Sequence, residues 1–242
     1  MDLHGTTMII TGASSGIGEA TARVAARAGV RVALAARRID RLAALADELG
    51  GDALVVPTDM RDVAQVRRLV DVVVEQWGGV DVLVNNAGQG LHVPVEHIAV
   101  EDLAAIVELN VYGALVAMQS VIPHMRAAGR GSIVNVSSGT TRMPAPINAA
   151  GYAATKGALN MLSKAAREEL APDGIVVSTV YPFITATEFH DTLRAGGGPR
   201  GGLGFEPHTA EEVAEAILEL VRSGDPEAVL LPEALRGAGH GA

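Results

Sequence analysis

The stretch that most constrains the fold is a glycine-rich segment, Thr11-Gly12-Ala13-Ser14-Ser15-Gly16-Ile17-Gly18, between an apolar run and a helical pattern. A strand, a tight turn and a helix in this order present free backbone N–H groups and the positive end of a helix dipole to a phosphate. Glycine suits such a turn because a Cβ would keep a pyrophosphate away from the backbone. The segment therefore predicts a dinucleotide-binding turn, and an ordinary strand–helix turn is the alternative.

Short apolar runs alternate with longer helical patterns along the chain. The predicted strands are Met8–Thr11, Arg31–Ala35, Ala53–Val56, Val80–Val84, Ser132–Val136, Ile175–Val180 and Ala228–Leu231. The predicted helices are Gly16–Arg27, Ile39–Leu49, Asp62–Trp77, one that begins near Val100, Tyr112–Arg126, Tyr152–Leu170 and Ala210–Arg222. Nearly continuous apolar strands are typical of a sheet with helices on both faces, and strand–helix alternation makes it parallel. We expect one α/β domain over residues 1–242, a Rossmann fold with a doubly wound parallel sheet of about seven strands.

Composition argues against several classes of protein. An apolar fraction of 48% is ample for a core, and a net charge of −9 without a basic run argues against nucleic acid. No cysteine is present, and none of the seven histidines has a metal-binding spacing, so we expect no disulfide and no metal. No signal peptide is visible, and no uninterrupted apolar stretch reaches the roughly 18 residues of a membrane span. We therefore expect a cytoplasmic protein without a membrane partner.

The end of the second predicted strand favours a phosphorylated cofactor. Dinucleotide-binding units usually have an acidic residue there, which holds the ribose 2′-hydroxyl. Here Arg37 and Arg38 follow instead, and a guanidinium binds a 2′-phosphate through charge-assisted hydrogen bonds. We expect NADP(H) rather than NAD(H), with Arg37 as the leading phosphate ligand and Arg38 as the second. Two solvated arginines at a helix start are the alternative.

Two more polar groups follow strands at the carboxyl edge, where ligands of open α/β sheets bind. Asp59 follows the third strand, where it could contact a ligand or cap the next helix. Asn85-Asn86-Ala87-Gly88 follows the fourth, where an Asn amide could tie adjacent loops or contact a cofactor.

Tyr152 and Lys156 stand at i and i+4 on one face of a predicted helix. A phenol with a reference pKa of about 10 needs a stabilised phenolate to transfer protons at neutral pH. A cation about 4 Å away at an effective dielectric constant of ~20 is worth roughly 4 kcal/mol, or about three pKa units. The pair predicts an acid/base tyrosine activated by lysine, and two polar residues that share a helix face are the alternative.

Polar residues at two other positions favour the same kind of site. Ser137 and Ser138 end the fifth strand, where a hydroxyl can hydrogen-bond a substrate carbonyl. Asn110 lies in an otherwise apolar predicted helix. A polar amide at such a position indicates that the helix is interrupted there for a functional or structural reason.

In order and spacing, these motifs resemble the short-chain dehydrogenase/reductase family over about residues 5–190: Thr11-Gly12-x-x-x-Gly16-Ile17-Gly18, Asn85-Asn86-Ala87-Gly88, Asn110, Ser138 and Tyr152-x-x-x-Lys156. The resemblance implies that Tyr152 is the acid/base, Ser138 polarises the carbonyl, and Lys156 holds the ribose and lowers the tyrosine pKa. It implies that Asn110 helps to hold a water in a proton relay, that Asp59 contacts the adenine, and that Arg37 selects NADP(H). The implied cofactor-binding residues are Gly12, Ser14, Ser15, Gly16, Ile17, Gly18, Arg37, Arg38, Asp59, Met60, Asn86, Ala87, Gly88, Tyr152, Lys156, Pro182, Phe183, Thr185 and Thr187.

The chain departs from the family pattern in two places. Phe183 stands where family members often have glycine after Pro182, and Thr187 matches the family threonine better than Thr185 does. The interval between Ser138 and Tyr152 is also one residue longer than usual, which leaves Ser137 as a second candidate for the serine role.

All three phenylalanines, Phe183, Phe189 and Phe205, follow the sixth strand around a glycine-rich stretch. This predicts a flexible substrate lid over about residues 183–206, with a pocket formed by Ser138, Met143, Tyr152, Phe183 and Phe189. We expect a moderately apolar ketone, aldehyde or secondary alcohol as the substrate. Rings that merely pack the lid onto the core are the alternative.

The sequence thus predicts an NADP(H)-dependent oxidoreductase that interconverts a carbonyl compound and a secondary alcohol by hydride transfer. The alternatives are an NADP-binding sensor or scaffold without turnover, which would be expected to lack Tyr152 or Lys156, and an NAD(H)-dependent alcohol dehydrogenase. The family resemblance also implies a homotetramer or homodimer, with the helices of Tyr112 and Tyr152 at the interface.

Overall fold

Seven strands form one parallel sheet in the structure, a computed structural model that describes residues 1–142, 147–197 and 206–231. The sheet order is β3-β2-β1-β4-β5-β6-β7. The strands are β1 (Thr7–Thr11), β2 (Arg31–Ala36), β3 (Ala53–Pro57), β4 (Val82–Asn85), β5 (Gly131–Val136), β6 (Ile175–Pro182) and β7 (Glu227–Leu230). The predicted fold class, a doubly wound parallel sheet, is confirmed.

Helices cover both faces of the sheet. They are α1 (Gly16–Arg27), α2 (Ile39–Leu49), α3 (Val63–Trp77), α4 (Val100–Val107), α5 (Ala114–Ala128), α6 (Ala150–Leu170) and α7 (Ala210–Ser223). Successive residues of β1 point to opposite faces, so Met8 and Ile10 pack with α1, α2 and α7, whereas Ile9 packs with α3 and α5. Because both faces are buried, every residue of β1 is apolar or a hydrogen-bonded threonine.

The observed elements begin and end within about two residues of the predicted ones, and two differences have clear causes. The predicted helix Asp62–Trp77 begins at Val63, because the Asp62 side chain accepts hydrogen bonds from the first-turn N–H groups and caps the helix. The predicted helix from Tyr112 begins as an α-helix only at Ala114, because Glu108–Gly113 is a π-helical segment.

The helical run Val100–Ala128 is long and apolar enough, by length and composition alone, to cross a membrane. In the fold this run is partly buried inside the protein, where α5 packs against the sheet and α3. A core helix meets the same criterion, so the run is weak evidence for a membrane span, and the expectation of no membrane partner stays a prediction.

The strand order reverses between β1 and β4, which makes their carboxyl ends the switch point of the sheet. In open α/β sheets the crevice outside such a point binds the ligand. The glycine turn follows β1 and the Asn86–Gly88 segment follows β4, so the fold brings these two predicted motifs to one place.

Candidate active site

The glycine turn after β1 has a backbone that favours glycine. Gly12 and Gly16 have φ angles of +69° and +56°, in the left-handed region. A Cβ on Gly18 would lie 2.4 Å from the carbonyl oxygen of Gly12, so the packing of the turn on the helix requires a bare backbone. Ser15 precedes α1 without a side-chain cap, and Ile17 packs against the core. The uncapped N–H groups at the positive end of the helix fit a pyrophosphate.

Asn86 ties the loop after β4 to the glycine turn. Its amide nitrogen donates to the carbonyl oxygens of Thr11 at 2.9 Å and Gly12 at 3.3 Å. The Thr11 hydroxyl oxygen accepts from the backbone N–H groups of Asn86 and Ala87, both at 3.0 Å. Of the two roles considered for this amide, the structure records the one that ties adjacent loops.

Arg38, rather than Arg37, lies against the glycine turn. Its guanidinium donates to the Ser14 hydroxyl at 3.0 Å and to the Ser15 hydroxyl at 2.5 Å. Arg37 is exposed and has no hydrogen bond or ion pair within the described part of the chain, although its charge helps to lower the pKa of Asp59. Arg38 is thus held against the glycine turn and Arg37 is not, and the order of the two as phosphate ligands stays a prediction.

Asp59 lies at the same edge but does not cap the next helix, which Asp62 caps instead. The Asp59 carboxylate pairs with Arg61 at 2.6 Å, and hydrogen bonds from that guanidinium lower the carboxyl pKa despite partial burial. Met60 is buried. A Cβ on Gly113 would lie 2.4 Å from the Met60 carbonyl oxygen. The adenine contact of Asp59 stays a prediction.

The catalytic candidates on α6 are buried beside the end of β5. Tyr152 is 7% exposed and Lys156 is 3% exposed. The Lys156 ammonium donates to the carbonyl oxygen of Val136 at 2.8 Å and lies 5.9 Å from the centre of the Tyr152 ring. The Ser138 hydroxyl acts on the Tyr152 phenol, whose pKa it lowers. The structure thus brings the predicted tyrosine, serine and lysine together.

Burial is the main cause of the pKa shifts of Tyr152 and Lys156. It raises the pKa of Tyr152 to about 12, against the opposing effect of the Ser138 side chain. It lowers the pKa of Lys156 to about 8, because the ammonium has lost its hydration. Burial thus opposes the expected activation of the phenol by Lys156, and that activation stays a prediction.

Asn110 lies in the π-helical segment between α4 and α5 and is 1% exposed. Its amide oxygen accepts from the Gln89 N–H at 2.9 Å, and its nitrogen donates to the Gln89 carbonyl at 2.9 Å and the Thr155 hydroxyl at 3.0 Å. A Cβ on Gly88 would lie 3.3 Å from the same amide oxygen. The interrupted helix thus fastens the loop after β4 to the helix that carries Tyr152, and π segments are common at functional sites.

The two serines after β5 have different partners. The Ser137 hydroxyl donates to the Asn160 amide oxygen at 2.5 Å, which commits it to holding the loop. The Ser138 oxygen accepts from the Thr140 hydroxyl at 3.0 Å, and the Ser138 side chain lowers the pKa of Tyr152. Ser138 therefore fits the carbonyl-polarising role better than Ser137 does.

Phe183 follows Pro182 at the end of β6 and lies against the loop that contains Ser138. A Cβ on Gly139 would come within 2.4 Å of the Phe183 ring, so the ring occupies the space beside that glycine. The bulky residue at this position thus packs on the serine loop, and Pro182 is buried as the last residue of the strand.

Thr187 lies over the glycine turn, whereas Thr185 is held by the backbone. A Cβ on Gly16 would lie 3.1 Å from the Thr187 methyl group. Thr185 is 9% exposed, and its hydroxyl donates to the Phe183 carbonyl at 3.3 Å. Thr187 is therefore nearer the glycine turn than Thr185, and its contact with the cofactor stays a prediction.

Three other rings cluster with Tyr152, and two of them belong to histidines that the sequence analysis missed. The Phe189 ring centre is 5.4 Å from that of Tyr152, the His92 ring is 6.3 Å from Tyr152, and His92 and His190 are 5.6 Å apart. Burial lowers the pKa of both imidazoles, with repulsion between them contributing at His92. No spacing relates positions 92 and 190, so only proximity in the fold reveals the pair.

Part of the predicted pocket and lid lies outside the described residues, namely Met143, Phe205 and the stretch 198–205. The described part of the lid is hydrogen-bonded to its neighbours. Arg194 N–H donates to the Gly90 carbonyl at 2.8 Å, and His208 N–H donates to the Ile184 carbonyl at 3.0 Å. The flexibility of the lid stays a prediction.

A family model described as short chain dehydrogenase matches residues 6–197. An uncharacterized oxidoreductase of Staphylococcus haemolyticus is 34% identical over 218 residues, which cover 90% of this chain and 91% of that protein. The family model covers β1 to β6, the glycine turn and the Tyr152–Lys156 helix.

Two solved structures are similar over nearly their whole length. The 3-ketoacyl-(acyl-carrier-protein) reductase from Brucella melitensis, complexed with NADH, is 31% identical with a TM-score of 0.85, and the match covers 95% of this chain and 96% of that one. The alcohol dehydrogenase from the archaeon Thermococcus sibiricus, complexed with 5-hydroxy-NADP, is 29% identical with a TM-score of 0.82 and coverages of 94% and 96%.

Proposed function

The chain belongs to the short-chain dehydrogenase family and is an oxidoreductase, and from this premise we propose that it interconverts a carbonyl compound and a secondary alcohol with NADP(H). The observation that carries the proposal is the buried group of Tyr152, Ser138 and Lys156 at the carboxyl edge of the sheet. The bound cofactor supplies or accepts the hydride. The residues of the chain bind the reactants and donate or accept the proton.

The proton is held at the Tyr152 hydroxyl oxygen. With a pKa of about 12, this phenol carries its proton at neutral pH, which suits donation to a carbonyl oxygen that gains charge. Ser138 has a hydroxyl beside Tyr152 and can donate a hydrogen bond to the same carbonyl oxygen. When Tyr152 has given up its proton, the Lys156 ammonium stabilises the phenolate that remains.

Cofactor choice rests on the residues around the glycine turn. Its uncapped N–H groups would hold the pyrophosphate, Lys156 the ribose, and Arg38 with Arg37 the 2′-phosphate. No carboxylate follows β2, where a ribose 2′-hydroxyl is usually held. These features support NADP(H), while the solved relatives include complexes with NADH and with an NADP derivative.

The proposed substrate is a moderately apolar ketone, aldehyde or secondary alcohol. Phe189 lines the side of Tyr152 where such a molecule would lie, and Phe183 packs on the serine loop. A sensor or scaffold without turnover would have no need of Tyr152 and Lys156 in one buried group.

A homotetramer or homodimer in the cytoplasm completes the proposal. Tyr112, in the π-helical segment before α5, and Met161, on α6, are 56% and 66% exposed. Large exposed side chains with apolar surface on these two elements suit a contact between copies of the chain. Light scattering coupled to size-exclusion chromatography measures the assembly.

The Tyr152→Phe variant tests the proposed chemistry. We expect kcat for NADPH-dependent reduction of carbonyl compounds to fall by about 10²- to 10⁴-fold, because the proton donor is lost. Calorimetric binding of NADP⁺ should stay within about threefold, because a single neutral hydrogen bond is all that is removed. Tyr112→Phe is the matched control and should leave kcat unchanged. A Tyr152→Phe enzyme with full turnover would contradict the mechanism, and a higher kcat/KM with NADH than with NADPH would contradict the cofactor.

A further inference from the structure

A carboxylate from another part of the chain lies at the arginines that follow β2. Glu188 begins the short 3₁₀ segment Glu188–Asp191 beyond β6. Its carboxylate accepts hydrogen bonds from Arg41 at 2.8 and 3.0 Å and from Arg38 at 3.3 Å. Hydrogen bonds from Arg41 first, and then Arg38, lower the pKa of the Glu188 carboxyl, so it is ionised at neutral pH.

The Arg38 guanidinium is shared between this carboxylate and the glycine turn. Two of its nitrogens donate to the hydroxyls of Ser14 and Ser15, and the third donates to Glu188. The segment with Glu188 also touches the turn directly, because Thr187 packs over Gly16. The carboxylate therefore stands at the edge of the place where the ribose of a dinucleotide would lie.

We propose that Glu188 sets the cofactor choice of this protein by competing with a ribose 2′-phosphate for Arg38. This inference rests on the proposed function and names the residue that moderates its NADP(H) preference. The carboxylate that dinucleotide-binding units usually carry at the end of β2 is absent from that position and is supplied instead by the loop after β6.

The competition follows from charge. A 2′-phosphate carries close to two negative charges, so Glu188 repels it. It can bind Arg38 only when the Glu188 carboxylate has moved away from that guanidinium. A ribose 2′-hydroxyl is not repelled by Glu188, and it can donate a hydrogen bond to the ionised carboxylate. The chain therefore discriminates between NADP(H) and NAD(H) less strongly than its two arginines alone would.

Fragments of the cofactor isolate this effect from catalysis. The probes are 2′,5′-ADP and 5′-ADP, which differ in the 2′-phosphate, and their Kd values are measured by calorimetry on the full chain. In Glu188→Gln we expect the Kd of 2′,5′-ADP to fall by about threefold to fivefold, the scale of an exposed ion pair, while the Kd of 5′-ADP stays the same or rises. Glu215→Gln on α7 removes the same charge from another exposed position and is the matched control.

The ratio of the two Kd values decides the outcome. An unchanged ratio in Glu188→Gln, or an equal change in Glu215→Gln, overturns the role of Glu188. A wild-type chain that binds neither fragment overturns it as well. A shifted ratio in a chain without NADPH-dependent turnover supports Glu188 as the determinant and contradicts the proposed function alone, whereas turnover with an unshifted ratio contradicts Glu188 alone.

Discussion

The polar groups around Tyr152 are buried, whereas those of the ion pairs around Glu188 are exposed to water. Tyr152, Lys156 and Asn110 are each less than a tenth exposed, and hydrogen bonds fix Lys156 to β5 and Asn110 to α6 and to the loop after β4. In the Glu188 ion pairs, the side chains of Arg38, Arg41 and Glu188 are 41%, 48% and 46% exposed. The proposed proton transfer therefore involves dehydrated groups, and the proposed cofactor discrimination involves hydrated ones.

This difference predicts how each region responds to change. A dehydrated group has a strongly shifted pKa, and its partners lose a hydrogen bond that water cannot replace. A hydrated ion pair contributes little to stability, because water and salt screen it. Substitutions on the buried face should therefore cost stability and change its pH dependence, whereas those in the loop should mainly change binding.

Asn110→Leu should have the largest effect on stability. It leaves both backbone groups of Gln89 and the Thr155 hydroxyl without their partner, and we expect the free energy of unfolding to fall by about 3 kcal/mol. Urea denaturation measures the change. Glu108→Gln, an exposed position in the same π-helical segment, is the control and should stay within about 0.5 kcal/mol. A stable Asn110→Leu variant would show that the amide does not fasten the helix to the loop.

Lys156→Met tests the dehydration of the lysine through pH. The folded pKa of about 8 lies below the reference value of about 10.5, so the folded state carries the full cost of burying the cation below pH 8. As pH rises from 8 to 10.5 the folded state loses its proton first, and the wild-type chain gains stability. The difference in unfolding free energy, variant minus wild type, should therefore fall by about 2.5 kcal/mol between pH 7 and pH 10.

The chain provides its own control for that experiment, since Lys164 is exposed on the same helix. Lys164→Met should show no such pH dependence in urea denaturation. If both lysine variants gave the same pH profile, Lys156 would not be dehydrated in the folded state.

Arg41→Gln should have the smallest effect. It removes the nearer partner of Glu188, but the pair is hydrated, so we expect Tm to change by less than about 2 °C and the change to shrink in 0.5 M NaCl. Differential scanning calorimetry compares it with Arg67→Gln, an exposed arginine on α3. A large loss of Tm at Arg41 alone would remove the contrast between the two regions.

Residues close together in the sequence were the ones that the sequence analysis placed correctly relative to each other. Tyr152 and Lys156 share a helix face because of their spacing, and the glycine turn follows from its flanking strand and helix. The spacing of a tyrosine and a lysine says nothing about how much water reaches either of them, so the sequence analysis did not reveal that burial raises the phenol pKa. The same limit hid His92, His190 and Glu188, whose partners are far away along the chain.

The sequence by itself determined the order of the elements, the parallel sheet and the residues that can carry the chemistry, because strand and helix patterns and turn glycines are local properties. Only the tertiary structure decided that Arg38 rather than Arg37 lies on the glycine turn, that Ser137 is committed to Asn160, and that Glu188 reaches the arginines. The reason is physical: burial and charge depend on distances in space, and the packing of the loops onto the sheet sets those distances.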